Sequence, residues 1–222
     1  MAEDSGDIYS KAIAYNIHGL SCFCKGIFSE AEKHILKGME FCERINFFIW
    51  NVFGPDFLGD MYWELREYEK SEDCYERAIR SLEQVEHGPS RGNFYRIGLA
   101  RAKVMGKEKD INLECLLGYV EKNKIRELDG KMQRFISEIL FNIDEQHMSE
   151  AEKWMQKAIE SDQRNSMRFH LGKDYALYGE FFKRKGDRLK AKENLAKAIE
   201  ILRECGADGW VKKHQEELAA IE

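Results

Sequence analysis

Small residues in an aromatic or aliphatic setting recur along this chain with a period close to 40 residues. Ile139 holds the equivalent place in the fourth of five units, and the four glycines at the other places are Gly19, Gly59, Gly98 and Gly179. Self-similarity at this spacing is typical of repeat architectures, in which each unit buries its apolar face against its neighbours. The pattern therefore predicts a stack of similar helical units.

Two further small positions follow each of these residues, twelve and nineteen residues later. The third unit departs from the pattern with Asp110 and Leu117, so its second helix is the least regular element. Small residues at these offsets allow the two helices of a hairpin to cross closely. In the other four units the positions are Ala31, Ser71, Ala151 and Ala191, then Gly38, Ala78, Ala158 and Ala198.

Turn residues separate the paired helices. Gly26 and Gly186 follow first helices, and glycine readily adopts the left-handed conformation that ends a helix. After Gly206, Trp210 belongs to a final amphipathic stretch that is expected to cover the last hairpin. We therefore predict an all-α, right-handed superhelical array of about five hairpins with a C-terminal capping helix, as a single solenoid. The repeats are expected at 9–48, 49–88, 91–129, 131–169 and 171–205, and the cap helix at 208–221.

The repeated unit resembles the tetratricopeptide repeat (TPR) family, a helix–turn–helix unit with small residues at these offsets. The resemblance covers residues 9–205, although the period exceeds the usual ~34 residues and the closing proline is absent. It implies TPR-like repeats that bind proteins and have no catalytic activity. The residues that carry it are Tyr15, Gly19, Gly26, Phe28, Ala31, Leu58, Gly59, Tyr62, Tyr68, Ala78, Phe135, Ala151, Ala158, Tyr175, Tyr178, Gly179, Gly186, Ala191 and Ala198.

The stretch 198–210 is similar to the end of the C-terminal repeat arrays of bacterial signalling ATPases and nucleotide cyclases. This resemblance implies a bacterial signalling protein. No Gly-rich phosphate loop of the Walker type occurs in the sequence, so the ATPase or cyclase part is expected to be absent from it.

Composition agrees with a folded helical protein. The chain has 222 residues, of which 43% are hydrophobic and only two are proline. A net charge of −5 with interspersed signs argues against non-specific nucleic-acid binding. The acidic start is unlike a signal peptide, and no apolar stretch is long enough to span a membrane, so a cytoplasmic protein is expected.

The sequence offers little catalytic or metal-binding chemistry. Cys22 and Cys24 are two residues apart, and on a helix such side chains point about 200° from each other, which excludes a shared tetrahedral ion. His18 and Cys22 share a face, but no second ligand pair is evident. No metal, cofactor or catalytic residue is predicted.

A concave groove formed by the first helices is the predicted partner site. Residues three before, one after and four after each repeat mark are expected either to line this groove or to pack against neighbouring helices. An aromatic pair beside two aspartates favours a protein or peptide with basic and apolar residues. The predicted groove residues are Asn16, Asp56, Asp60, Trp63, Tyr95, Leu99 and Leu140.

Three hypotheses remain open at this point. The chain is either a scaffold that binds such a segment or a regulatory module that closes on a peptide or small ligand. The third hypothesis is a self-association module. The aromatic residues of the region Phe47–Phe53 are either buried between units or form a homodimer surface.

Overall fold

The computed structural model describes residues 6–47, 49–83, 89–106 and 111–221, and these residues form helices and no strands. The prediction of an all-α helical repeat array is confirmed. Within this part of the chain the helices are α1 Ile8–Lys25, α2 Phe28–Arg44, α3 Ile49–Glu64, α4 Tyr68–Glu83, α5 Pro89–Met105, α6 Leu113–Glu121, α7 Arg126–Ile143, α8 Met148–Arg164, α9 Arg168–Arg184, α10 Arg188–Glu204 and α11 Asp208–Ala219, with a 3₁₀ turn at Glu145–His147.

Helix ends recur every 20 residues in two parts of the chain. At each end a residue with φ between 51° and 79° stops the helix, and after it a backbone N–H bonds to the carbonyl five residues earlier, as from Ile27 to Cys22 and from Asp187 to Phe182. The predicted left-handed conformation of Gly26 and Gly186 is confirmed, and Gly206 adopts it as well. The other ends use Asn46, Arg66 and Ser166.

The glycines of the repeat pattern lie where helices approach each other closely. A Cβ on Gly19 would lie 2.6 Å from the Ile35 side chain, and one on Gly179 would lie 2.8 Å from Leu195. The small positions of the second helices are fully buried at Ala31, Ala151 and Ala191. These residues therefore do what the spacing predicts, since larger side chains would separate the hairpin helices.

The chain divides into two compact units, Met1–Gly106 and Lys107–Glu222. In the first unit α1 pairs with α2 and α3 with α4, and α5 packs on α4. In the second unit α7 pairs with α8 and α9 with α10, and α11 covers α10 with Trp210, Val211 and His214 buried. The predicted single solenoid and its repeat boundaries stay a prediction.

The third repeat is irregular, as its sequence suggested. Its second helix, α6, has only nine residues and packs on α7. Leu117 of the pattern lies in α6 and is half-buried, while Asp110 lies outside the described residues. None of the described helices is long and apolar enough to cross a membrane.

Candidate binding surface

Most of the predicted groove side chains are buried. Asn16, Asp56, Asp60, Tyr95 and Leu140 are at most 3% exposed, while Trp63 and Leu99 are half-buried. The expectation that those five side chains line an open groove is therefore wrong. They pack inside the chain, which is the alternative that the sequence left open.

For the residues three before each repeat mark, the reason is the direction that the marks face. Successive helical residues are about 100° apart, so this offset lies about 60° from the mark. Because Gly19 and Gly59 face the second helix of their own hairpins, residues at this offset face packed helices as well. Asn16 shows this directly, because its Nδ2 donates to the Ala12 carbonyl oxygen and contacts Cys42 Sγ on α2 at 3.6 Å. Asp60 and Leu140 are one residue after their marks, about 100° away, and this direction does not account for their burial.

Asp60 is the centre of a buried cluster in the first unit. It accepts a hydrogen bond of 2.7 Å from the Tyr75 hydroxyl, and its Oδ1 lies 3.5 Å from Arg101 Nη1. Burial and, next, the Asp60 carboxylate raise the pKa of Tyr75 well above its usual value, so the hydroxyl keeps its proton and stays a donor. The basic partner predicted for Asp60 is therefore present in the chain itself.

Arg101 also supports Trp63. The Arg101 guanidinium carbon lies 4.0 Å from the centroid of the Trp63 ring, and the Tyr68 ring meets the same indole edge-on with centroids 5.2 Å apart. This arrangement combines a cation over an aromatic face with an edge-to-face contact, both of which restrict the ring. Trp63 is thus a fixed, half-buried indole rather than a freely rotating surface side chain.

Asp56 and Tyr95 belong to the same buried neighbourhood. The Tyr95 hydroxyl donates to the carbonyl oxygen of Val52 at 3.3 Å, and its ring centroid lies 6.4 Å from that of Tyr75. Burial and then the Asp56 carboxylate raise the pKa of Tyr95. The structure therefore brings together the four residues predicted to cluster, with Asp56, Asp60 and Tyr95 in the core and Trp63 half-buried.

A second buried charged cluster lies in the second unit and was not predicted. Arg134 Nη1 bonds to Asp174 Oδ1 at 2.7 Å, and both side chains are at most 2% exposed. Asp162 of α8 lies against Gly130 of α7, where a Cβ would collide with its carboxylate. Burial raises the pKa of both Asp162 and Asp174, with the Arg134 charge opposing the shift at each. Burial thus disfavours the charged form of both acids, and the guanidinium favours it.

One signal in the sequence could have revealed this pair. Arg134 and Asp174 are 40 residues apart, so they occupy the same position of consecutive repeats with opposite charges. Equivalent positions on adjacent first helices are neighbours in a stack of hairpins. Comparing charges one period apart would have paired them.

The described members of the Phe47–Phe53 region contact their own chain. The Phe47 ring centroid lies 5.0 Å from that of Tyr9, Val52 is buried, and Arg91 lies 4.5 Å over the Phe53 ring. Phe48 and the side chains of residues 49–51 lie outside the described part of the structure. Homodimer formation through this region stays a prediction.

His18 and Cys22, which the sequence places on one helix face, contact each other. Cys22 Sγ lies 3.7 Å from His18 Nε2, and all six cysteines are free thiols. Among the described residues, no group of three or more His, Cys, Asp and Glu side chains is arranged to hold a metal ion. The charged groups of the two buried clusters form hydrogen bonds and ion pairs within each cluster.

Comparison with known proteins supports the repeat interpretation. Residues 57–81 match the family described as tetratricopeptide repeat, and this segment spans the second half of α3 and most of α4. The crystal structure of BtubC (BKLC) from P. vanneervenii is similar to this chain, with a TM-score of 0.50 and 14% sequence identity over 87% of each chain. At that identity the likeness concerns the fold alone. No curated protein is significantly similar in sequence.

Proposed function

We propose that this chain is a non-catalytic scaffold that binds a peptide or protein segment on the first helices of its repeats. The observation that carries the proposal is the tetratricopeptide repeat match over α3 and α4, because repeats of this kind generally mediate protein–protein interaction. Arrays of helical hairpins present extended surfaces suited to such partners.

Within the predicted site, Trp63 is the best anchor for a partner. It is half-buried, so part of the indole is available, and Arg101 and Tyr68 hold the ring in place. A fixed aromatic side chain loses little conformational entropy on binding, which is why Trp is common among residues that dominate interface energies. Leu99 is the other predicted residue that keeps exposed surface.

The buried members of the predicted site receive a supporting role in this proposal. Asp60 pairs with Arg101, and Arg101 lies over the ring of Trp63. Asp60 therefore does not contact the partner itself, but holds Arg101 and through it the indole that does. A partner then needs an apolar side chain for the indole. It has less need of a basic residue, because Arg101 already neutralises Asp60.

The test is the variant Trp63→Ala against a peptide selected from a random library on the wild-type chain. We expect the affinity to fall by about 1–3 kcal/mol, as measured by isothermal titration calorimetry, because the anchor is lost. Trp154→Ala is the matched control, since Trp154 is also half-buried with a lysine 4.0 Å over its ring. If the Trp63→Ala variant has normal helix content and binds the peptide as tightly as the wild type, Trp63 is not part of the binding site.

Narrower roles rest on the sequence alone. They are a place in a cytoplasmic bacterial signalling protein, closure on a peptide or small ligand, and self-association through Phe47–Phe53. The first is supported by the resemblance of 198–210 to signalling arrays. The last competes with the contacts that Phe47 and Phe53 make within their own chain.

A further inference from the structure

The turn between α9 and α10 is a strongly basic part of an acidic chain. From 183 to 193 there are six lysines and arginines against Asp187 and Glu193, whereas the whole chain has a net charge of −5. We call residues 183–193 the basic tip. Gly186, with φ of 79°, lies at the turn between the two helices. All six lysines and arginines of the basic tip are exposed.

Leu189 lies in the middle of the basic tip and is 69% exposed. The other exposed large apolar side chains of the described chain are between 40% and 50% exposed. Leu189 belongs to the first turn of α10. Isolated exposed leucines are common, but this one is surrounded by cations.

The carboxylates near the basic tip do not balance its charge. Lys183 and Arg184 both approach Glu180 at 3.8 Å, and Lys190 lies 3.5 Å from Asp187. Lys185 pairs with Glu152 at 2.7 Å. Within the described residues neither Arg188 nor Lys192 forms an ion pair. These two are four apart on α10 and therefore share a face, with Leu189 beside them.

We propose that the basic tip is a second docking surface, which binds an acidic protein segment that carries an apolar side chain. The apolar side chain packs on Leu189, and flanking carboxylates pair with Arg188 and Lys192. Charge complementarity carries this assignment, because an anionic segment meets two cations that have no ion-pair partner among the described residues. The surface is independent of Trp63, which lies in the other compact unit.

Two other anionic occupants fit the tip less well. One exposed leucine buries too little apolar surface to hold the chain on a bilayer, since stable anchoring usually takes two signals. The basic tip exposes no aromatic ring on which nucleic-acid bases could stack, and the net negative charge of the chain opposes a polyanion. Both occupants are therefore alternative outcomes of the test.

The experiment measures the binding of a fluorescently labelled synthetic peptide by anisotropy. The probe is a short peptide with a central Leu-Phe pair flanked by aspartates and glutamates, and its controls replace either the acidic residues by lysine or the Leu-Phe pair by serine. We expect the wild-type chain to bind the probe and to lose affinity as salt is added. Arg188→Glu combined with Lys192→Glu, and separately Leu189→Ser, should each weaken binding about tenfold or more.

The matched control for charge reversal is Lys122→Glu combined with Lys124→Glu, because both lysines are exposed in the same compact unit. This variant should bind the probe as the wild type does, and so should Trp63→Ala. Failure of the wild type to bind the probe overturns the proposal, as does equal weakening by the Lys122 and Lys124 changes. Tighter binding to phosphatidylserine vesicles or to a single-stranded oligonucleotide, lost in the tip variants, would replace the protein segment with that partner.

Discussion

Two buried arginines, Arg101 and Arg134, explain why charged residues lie inside this chain. Each guanidinium faces an aspartate from the neighbouring first helix of its own unit, Asp60 and Asp174 respectively. A buried charge is tolerated only with such a partner, and removing one partner leaves the other uncompensated. At the scale of residues, the two clusters are internal ion pairs that position helices and, in the first unit, Trp63.

The first prediction at this scale concerns the titration of Asp162. Burial and, next, the Asp174 carboxylate raise the pKa of Asp162 to about 8, against the opposing charge of Arg134. The pKa of an aspartate in an unfolded chain is about 3.9. Between these values the folded chain holds a proton that the unfolded chain has released, so the free energy of unfolding falls as pH rises.

Asp162→Asn keeps the size of the side chain and removes this titration. Urea unfolding followed by circular dichroism, from about pH 5 to about pH 8, should show a shallower loss of stability in the variant, by at most about 1.4 kcal/mol per pH unit. Glu160→Gln, an exposed change of the same kind on α8, should keep the wild-type slope. Equal slopes for Asp162→Asn and the wild type would show that Asp162 is already ionised.

At the scale of elements, one aromatic ring explains two of the repeat glycines. Tyr75 of α4 lies between α3 and α5, where a Cβ on Gly59 would be 2.9 Å from its ring and one on Gly98 would be 2.5 Å away. Its hydroxyl is bound to Asp60, so the ring cannot move aside easily. The glycines of consecutive repeats thus form a slot for one tyrosine, which joins neighbouring hairpins.

Gly98→Ala therefore tests how tightly the elements of the first unit pack. Alanine favours a helix over glycine by about 0.5–1 kcal/mol, but overpacking costs about 1–3 kcal/mol, so we expect a net loss of stability in thermal unfolding. Gly118→Ala is the control, because nothing lies within 4 Å of a Cβ at that position of α6. It should be neutral or stabilising. A Gly98→Ala variant as stable as Gly118→Ala would show that the Tyr75 slot is loose.

At the scale of the whole molecule, the chain has regularly spaced helix ends and two compact units. The left-handed residues that end helices fall at 26, 46 and 66, and again at 166, 186 and 206. The 20-residue register is therefore kept across the irregular third repeat, although the division into units falls within that repeat, at Gly106. Stacked repeats are stabilised by nearest neighbours, so a weak repeat limits cooperativity.

This division predicts that local changes act on one unit at a time. In hydrogen exchange measured by mass spectrometry, Gly98→Ala should speed exchange in α3 to α5 and leave α8 to α10 as in the wild type. Asp162→Asn should affect only the second unit, because two compact units are expected to open separately. A uniform change along the chain would instead support one cooperative solenoid, as the period suggested.

The sequence by itself determined the helical class, the 40-residue period, the close helix crossings at small residues and several of the helix-ending glycines. These features depend on local residue type, since a missing Cβ permits a left-handed turn or a close approach wherever it occurs. Even there, Asn46, Arg66 and Ser166 end helices without glycine, and residue type did not reveal them.

Only the tertiary structure decided which faces are buried and what the charged residues do. From the sequence, Asp60 is predicted to bind a partner. In the structure it is a core residue, because Arg101 and Tyr75 on two other helices pair with its carboxylate. The environment of a side chain is set by the neighbouring helices, which a helical period alone does not identify. Trp63 remains a candidate anchor for the corresponding reason, since no helix covers the whole of its ring.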